Sequence, residues 1–372
     1  MTAKQTMKAV GLYRYLPVTD ERSLEDLQIP LPEATGHDLL VKVEAISVNP
    51  VDTKVRAPQD QVEKDPRILG WDAAGLVVAV GEAVTLFRPG DAVYYAGSIT
   101  RPGCNSQFHL VDERIVGRKP ASLQWEEAAA LPLTTITAWE SLFERLGIDR
   151  HGADTGKSLL IIGGAGGVGS MGIQLAKLAG LTVIATASRP ETVEWCRTLG
   201  ADHVIDHRQP LPSQLSAAGF PQVDYIVNYN NTDAYWTVMS EVIAPQGRIC
   251  SIVENAQPID LNTLKSKSTT FVWEFMFTRS MYSTPDMARQ GELLNEVAAL
   301  VEAGRLRHAS QDVLSPINAT NLRQGPRETR KRSHHRQDRP QELGVTDGSP
   351  FLSRLDRGCA APRGRRTPPA RC

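Results

Sequence analysis

The sequence predicts an α/β protein, a doubly wound parallel sheet preceded by a smaller β-rich domain. Three observations carry this prediction. Short β-like runs crowd the first third of the chain, an Ala/Leu/Glu-rich helical stretch follows, and apolar strands then alternate with helices. The length of 372 residues suits two domains better than one. With 41% hydrophobic and 22% charged residues, the composition excludes collagen, coiled coil and wholesale disorder.

From Met7 to about Pro120 the runs MKAVGLY, LLVKVEAISV, AAGLVVAVGEAV, DAVYYAG and SQFHLVD read as strands, bounded by Pro, Gly and Asp. At Glu126 the texture changes to EEAAALPLTTITAWESLFERLGI, a helical stretch leading into the second domain. SLLIIGG then reads as a buried strand, VGSMGIQLAKLAG as a helix, LTVIATA as a strand, PETVEWCRTLG as a helix, and HVID and VDYIVNY as strands. The helix DAYWTVMSEVIA is expected to end before Pro245 and Gly247. Strands RICSIV and TTFVWEFMF and the helix MARQGELLNEVAALVEAG complete the alternation. Such alternation implies a parallel sheet covered on both faces.

Five cysteines (Cys104, Cys196, Cys250, Cys359, Cys372) show no short spacing, so neither a disulfide framework nor a CxxC zinc cluster can be written. A reducing, cytoplasmic location is the expectation. The N-terminus MTAKQTMKAVGLYRYL has no apolar signal core, and no apolar run approaches the roughly 20 residues that span a bilayer, so no membrane role is expected. The net charge of −1 hides an asymmetry. Residues 325–372 hold eleven Arg and one Lys against five acids, a net +7, and the remainder carries −8. This Arg/Pro-rich tail has few aliphatic residues and is expected to be disordered.

The strongest chemical signal is SLLIIGGAGGVG, in which Gly164, Gly166 and Gly169 form GxGxxG between an apolar strand and a helix. In this Rossmann-type context the first glycine allows a tight turn, the second lets a pyrophosphate approach the backbone, and the third lets helix and strand pack closely. The helix N-terminus adds unpaired N–H groups and partial positive charge for the phosphates. Where an NAD site would end its second strand with an acid, this chain has Ser188 and Arg189, which suit a 2′-phosphate. NADPH is therefore the expected cofactor.

The β-rich domain, the helix AALPLTTITAWESLF and the GGAGGVG loop together resemble the medium-chain dehydrogenase/reductase superfamily over residues 7–324. Within it the chain is similar to zinc-type alcohol dehydrogenase-like proteins and quinone oxidoreductases. SVNPVDTKVR, ILGWDAAGLVVAVGEAVTLFRPGDAVYYAG and ATASRPETVEWCRTLGADHVIDH carry the resemblance. It implies a GroES-like catalytic domain over 1–133, a Rossmann dinucleotide-binding domain over 134–304, and a return segment over 305–324. By the same resemblance Asn49 should face the nicotinamide and acceptor, and Thr137 should lie near the nicotinamide ring. Gly164, Gly166, Gly167 and Val168, with Gly169 closing the motif, should lie under the pyrophosphate. Ser188 and Arg189 should meet the 2′-phosphate, with His207 near the adenosine. A homodimer joined through the TTFVWEFMF strand is a further implication.

Zinc-using relatives place a Cys, a Gly-His-Glu and a second Cys where this chain has Asn49, Gly70-Trp71-Asp72 and the Thr134–Thr135 region. Asp52 and Asp72 remain as oxygens without a His or Cys partner in these motifs, and a catalytic zinc needs three ligands of His, Cys or carboxylate type. No metal site is predicted. Asp52 is kept with Asn49 and Thr137 as a candidate catalytic residue. Of Tyr94 and Tyr95, strand alternation leaves at most one to border the cleft. Trp71, Trp273 and Phe275 are candidates to line an acceptor pocket, with packing or subunit contact the plainer reading.

The expected activity is hydride transfer from NADPH to a quinone or an α,β-unsaturated carbonyl, acceptors that spread developing charge over their own π-system. The alternatives are a zinc-type alcohol dehydrogenase and a dinucleotide-binding protein with little catalysis. The resemblance stops after Gln324. One permitted set of codons for residues 325–344, read one base later, spells AHAKLESGRTIGKIVL, the kind of C-terminus such relatives carry. A single extra base after the Gln324 codon is the expectation, with an unpaired sheet edge as its cost. With Phe351 its sole aromatic residue, the tail is not expected to bind nucleic acid.

Overall fold

The computed structural model describes residues 5–309 and 313–324. The Arg/Pro-rich tail, and the expectations placed on it, lie outside the described residues.

The β-rich part opens with β1 (Thr6–Tyr15), β2 (Glu25–Pro30), β3 (Asp38–Ser47), the short helix α1 (Pro50–Val55) and β4 (Gln59–Ile68). It continues with β5 (Asp72–Val80), β6 (Ala92–Ala96), β7 (Phe108–Asp112) and β8 (Val116–Arg118). Antiparallel pairing builds a three-stranded sheet, β2-β1-β4, and a five-stranded sheet, β7-β3-β5-β6-β8. In β3 the run Leu39–Val41 is buried while Lys42 is exposed, as a strand with a packed face requires. The sequence reading missed β2 and β4, because EDLQIP and QDQVEKDPRI carry too few apolar residues to announce strands. Both are sheet edges, where polar residues are tolerated.

The helical stretch divides into α2 (Trp125–Ala129) and α3 (Pro132–Trp139), which Glu140–Arg145 continues as a π-helical turn. Pro132 supplies the break, since it sits at the first position of α3, where its missing N–H is harmless.

The second part runs β9 (Ser158–Ile162), α4 (Gly167–Leu178), β10 (Thr182–Thr186), α5 (Pro190–Thr198), β11 (His203–Ile205), α6 (Leu211–Ala217) and β12 (Val223–Asn228). Then follow α7 (Thr232–Val242), β13 (Ile243–Ser251), β14 (Thr270–Trp273), α8 (Thr278–Tyr282) and α9 (Arg289–Glu302). Its strands form a parallel sheet in the order β11-β10-β9-β12-β13-β14, the doubly wound arrangement. Every residue of β9 is buried, as befits a central parallel strand covered on both faces. β13 begins at Ile243 rather than at Arg248, and β14 stops at Trp273, well short of the predicted TTFVWEFMF strand.

Helix α9 bridges the two parts. The Tyr94 hydroxyl donates to the Leu294 carbonyl, Gln290 Nε2 donates to the Ala96 carbonyl at 3.1 Å, and the Arg118 amide donates to Asn295 Oδ1 at 2.9 Å. Tyr94 and Tyr95 are both fully buried, so neither borders the cleft. Tyr94 reaches α9, and Tyr95 stacks on His109 in the core of the five-stranded sheet. Alternation separated their faces correctly, but both faces of β6 are covered.

Candidate active site

The β9–α4 turn lies beside the end of β12, where the strand order reverses and ligands of open α/β sheets bind. The left-handed turn residue is Gly163, with φ +90°, rather than Gly164. Gly164 and Gly169 are required by packing. A Cβ on Gly164 would come within 2.8 Å of Ala185 Cβ, and one on Gly169 within 2.2 Å of the Gly163 carbonyl. Gly166 differs, since a Cβ there meets only the Gly163 oxygen, at 3.4 Å, and the residue is exposed. Internal packing thus explains the outer glycines of the motif and leaves the middle one open towards solvent. Gly166 is the N-cap of α4, so the amides of Gly167, Val168 and Gly169 open its first turn.

Beyond β10, Ser188 is half-buried, and Arg189 is the exposed N-cap of α5, its Nε 3.2 Å from Glu191. His207 is exposed, with its pKa lowered first by partial burial and then by the charges of Arg208 and Arg189. Sequence reasoning missed Arg208, whose guanidinium donates to the Ser188 carbonyl at 2.7 Å while forking onto Asp206. Arg208 therefore stands at Ser188, and both it and Arg189 lie close enough to His207 to act on its charge. The signal was in HVIDHRQ, where an Arg stands next to the histidine already singled out.

The third group lies on β5, α1 and α3. Asn49 caps α1 and closes a capping box with Asp52, whose Oδ2 accepts the Asn49 amide at 2.7 Å. Asn49 Nδ2 donates to Asp72 Oδ2 at 2.7 Å, and Asp72 Oδ1 accepts the Leu133 amide in the first turn of α3 at 2.8 Å. Asp72, with 0% exposure, thus ties the α1 cap to the helix that bears Thr137. Burial pushes the Asp72 carboxyl well up, and the amides of Asn49 and Leu133 pull it back. Asp52 is also buried and its Oδ1 has no hydrogen-bond partner. Burial raises its pKa to about 7, opposed by the backbone amides of Asn49 and Gly70 and then by the Arg56 charge.

On α3, Thr137 Oγ1 donates to the Leu133 carbonyl at 2.7 Å. Thr134, one turn earlier on the same face, packs against the glycine loop, its Cγ2 2.9 Å from where a Gly167 Cβ would stand. Thr134 is the α3 residue that abuts the loop, a role its sequence context, the place of a missing cysteine, does not show. Trp71 is buried against Phe277, its Nε1 donating to the Ser98 carbonyl at 3.0 Å, so it belongs to the core and not to a pocket wall. Trp273 and Phe275 are exposed at 43% and 46% at the β14 edge. Two hollows elsewhere, about 90 Å³ beside Arg101 and about 210 Å³ beside Arg305, involve none of these residues.

Residues 35–123 match the alcohol dehydrogenase GroES-like domain, and residues 167–290 match the zinc-binding dehydrogenase domain. A zinc-type alcohol dehydrogenase-like protein of Staphylococcus aureus is 45% identical over 328 residues, 88% of this chain and 97% of that protein. A chloroplastic quinone-oxidoreductase homolog of Spinacia oleracea is 30% identical over 73% of this chain and 80% of its own length. Among solved structures, one from Rhizobium etli CFN 42, described as a zinc-dependent alcohol dehydrogenase protein, superposes with a TM-score of 0.85 at 52% identity. It covers 89% of this chain and 96% of its own. The quinone oxidoreductase of Coxiella burnetii superposes with a TM-score of 0.73 at 25% identity, over 89% and 98% of the two chains. The chain belongs to the medium-chain dehydrogenase/reductase superfamily, a family of oxidoreductases.

The zinc in these descriptions does not fit the residues present. Asn49 turns its amide nitrogen, a donor, towards Asp72; Trp71 has no ligating atom; and both Asp72 oxygens already accept N–H groups. Among the described residues, no group of three or more His, Cys, Asp or Glu is arranged to hold a metal ion.

Proposed function

We propose that the chain is an NADPH-dependent reductase that passes hydride to a quinone or an α,β-unsaturated carbonyl without a catalytic zinc. The observation that carries this reading is the Asn49–Asp72–Leu133 network standing where zinc ligands would be. A pyrophosphate fits at Gly166, with the amides of Gly167, Val168 and Gly169 as donors. Ser188, Arg189, Arg208 and His207 would hold a 2′-phosphate through charge-assisted hydrogen bonds. The nicotinamide, when bound, supplies a hydride. Asn49 and Thr137 wall the reacting face, and Asp72 fixes both by linking the α1 cap to α3.

Reduction of such an acceptor takes one hydride and one proton, which yields a hydroquinone or a saturated carbonyl. Asp52, titrating near pH 7 inside this network, is placed to hold the proton. A homodimer through the exposed β14 edge, where Trp273 and Phe275 stand, belongs to the same reading. The test is a fluorescence titration with NADPH and NADH at one ionic strength, followed by acceptor screening on dialysed, metal-assayed protein. NADPH is expected to bind about tenfold or more tighter than NADH, and Arg189→Ala to weaken NADPH by about tenfold, the loss of roughly one charge-assisted contact. Equal affinity for both nucleotides, or activity that tracks bound zinc, would overturn it.

A further inference from the structure

The π-helical turn and the residue that follows β14 bring two glutamates together in the interior. Glu140 and Glu274 have side chains 1% and 0% exposed. Glu140 Oε1 accepts Arg279 Nη1 at 2.5 Å, and Glu274 Oε2 accepts Arg145 Nε at 2.7 Å. That leaves Glu140 Oε2 and Glu274 Oε1, and both are buried without a hydrogen-bond partner. An ionised carboxylate oxygen can only accept, so two of them in contact would leave both orphaned and repelling. One proton between them satisfies both.

We propose that Glu140 and Glu274 form a buried proton-binding site, in which a single proton on Glu140 Oε2 is donated to Glu274 Oε1 and fastens the π-helical turn to the segment that follows β14. The surrounding charges favour one proton rather than none. Arg279 is divided among Glu140, Glu144 and Asp286, with contacts of 2.7 Å to Glu144 and 2.8 Å to Asp286. Arg145 holds Glu274 closely and lies 3.7 Å from Glu140. Two guanidiniums thus face four carboxylates. From β13 and the loop after β12 come Cys250 and Tyr229, whose pKa values burial raises, so both stay neutral and offer no compensating charge. The two glutamates lie within hydrogen-bond reach of each other, and burial followed by mutual repulsion holds Glu140 above the ordinary range.

The consequence is a pH dependence of stability with a defined sign. A carboxyl whose folded pKa lies above its unfolded value stabilises fully below the unfolded pKa, and that contribution is lost as pH rises through the folded one. Stability contributed by the pair therefore falls from pH about 4.5 upward. Glu140→Gln keeps the acceptor for Arg279 and supplies a permanent donor to Glu274.

The experiment is thermal unfolding of the full chain and of Glu140→Gln from pH 5 to pH 9, with Glu140→Ala as the cavity control. Glu140→Gln is expected to match the parent at pH 5 and to exceed its Tm by about 2–4 °C at pH 8, while Glu140→Ala lowers Tm throughout. A Glu140→Gln protein that loses stability at pH 8 as Glu140→Ala does, with the parent's pH slope intact, would mean two ion-paired carboxylates and overturn the proposal. An infrared difference spectrum provides a second readout independent of folding energetics. A protonated-carboxyl band at pH 7 that disappears in Glu140→Gln supports the shared proton, and its absence from the parent refutes it.

Discussion

Two pairs of buried acids in this chain are managed by different chemistry. Asp52 and Asp72 sit on α1 and β5 and are held mainly by amide N–H groups: Asn49 N, Asn49 Nδ2 and Leu133 N. Glu140 and Glu274 sit on the π-helical turn and after β14, held by the guanidiniums of Arg279 and Arg145. Amides orient a carboxylate without neutralising it, whereas guanidiniums neutralise it and must in turn be shielded from other acids. The first arrangement suits a site that must stay polar and well ordered beside a cofactor. The second suits a buried joint that fastens one element to another.

The largest effect should come from removing the cation on which three carboxylates depend. Arg279→Met leaves Glu140, Glu144 and Asp286 facing one another around a half-buried joint. A loss of about 3–5 kcal/mol is expected from chemical denaturation, since breaking a buried pair strands the remaining charge. Comparison with Arg279→Lys sharpens the test, because a retained cation should recover part of the loss. An equal loss in both variants would assign the cost to packing and to the geometry of the guanidinium fork rather than to charge.

Asp72→Asn probes the other pair and should cost less, about 1–3 kcal/mol. Asn49 Nδ2 and Leu133 N donate to different oxygens of Asp72, and the variant replaces one of those oxygens by an NH₂ group, so one of the two donors loses its acceptor. If Asp72 holds the α1 cap against α3, turnover should fall about 10- to 100-fold while nucleotide affinity at the glycine loop is unchanged. A variant with intact turnover and the same loss of stability would reduce Asp72 to a structural acid.

The contrast between the pairs also explains what the sequence revealed. The Asn49, Asp52 and Asp72 positions were legible because they fall in SVNPVDTKVR and ILGWDAAG, and the glycine loop because its spacing sits between an apolar strand and a helix. That Asn49 and Asp72 bond directly was not legible, since they are 23 residues apart and meet only when β3 and β5 pair in register. Glu140 and Glu274 gave no signal at all. Glu140 sits in a run that reads as an ordinary helix, although its last turn is π-helical, and Glu274 was read into a strand that ends one residue earlier. Arg208 was missed for a similar reason: its bond to the Ser188 carbonyl depends on β10 and β11 lying side by side. Local pattern located the parallel sheet and its turn, whereas pairings across strands needed coordinates.

Asp52 allows the finest separation of the two regions, because its titration ends near pH 7 whereas that of Glu140 continues above it. With a folded pKa of about 7 against an unfolded value near 3.9, Asp52 stabilises fully below the unfolded pKa, and its contribution is lost as pH rises through about 7. Asp52→Asn keeps an oxygen for the Asn49 amide and removes that titration. The expected result is a flatter stability profile between pH 4 and pH 7, with a gain of about 1–2 °C in Tm at pH 8 and little change in the slope above pH 7, where Glu140 still titrates and Asp52 no longer does. Its activity should separate as well. If Asp52 holds the proton for the acceptor, the variant loses the turnover inflection near pH 7 and keeps its nucleotide affinity. A variant that retains the inflection places the proton elsewhere, in bulk water or on the acceptor's own oxygen, and leaves Asp52 as the partner that positions the Asn49 cap.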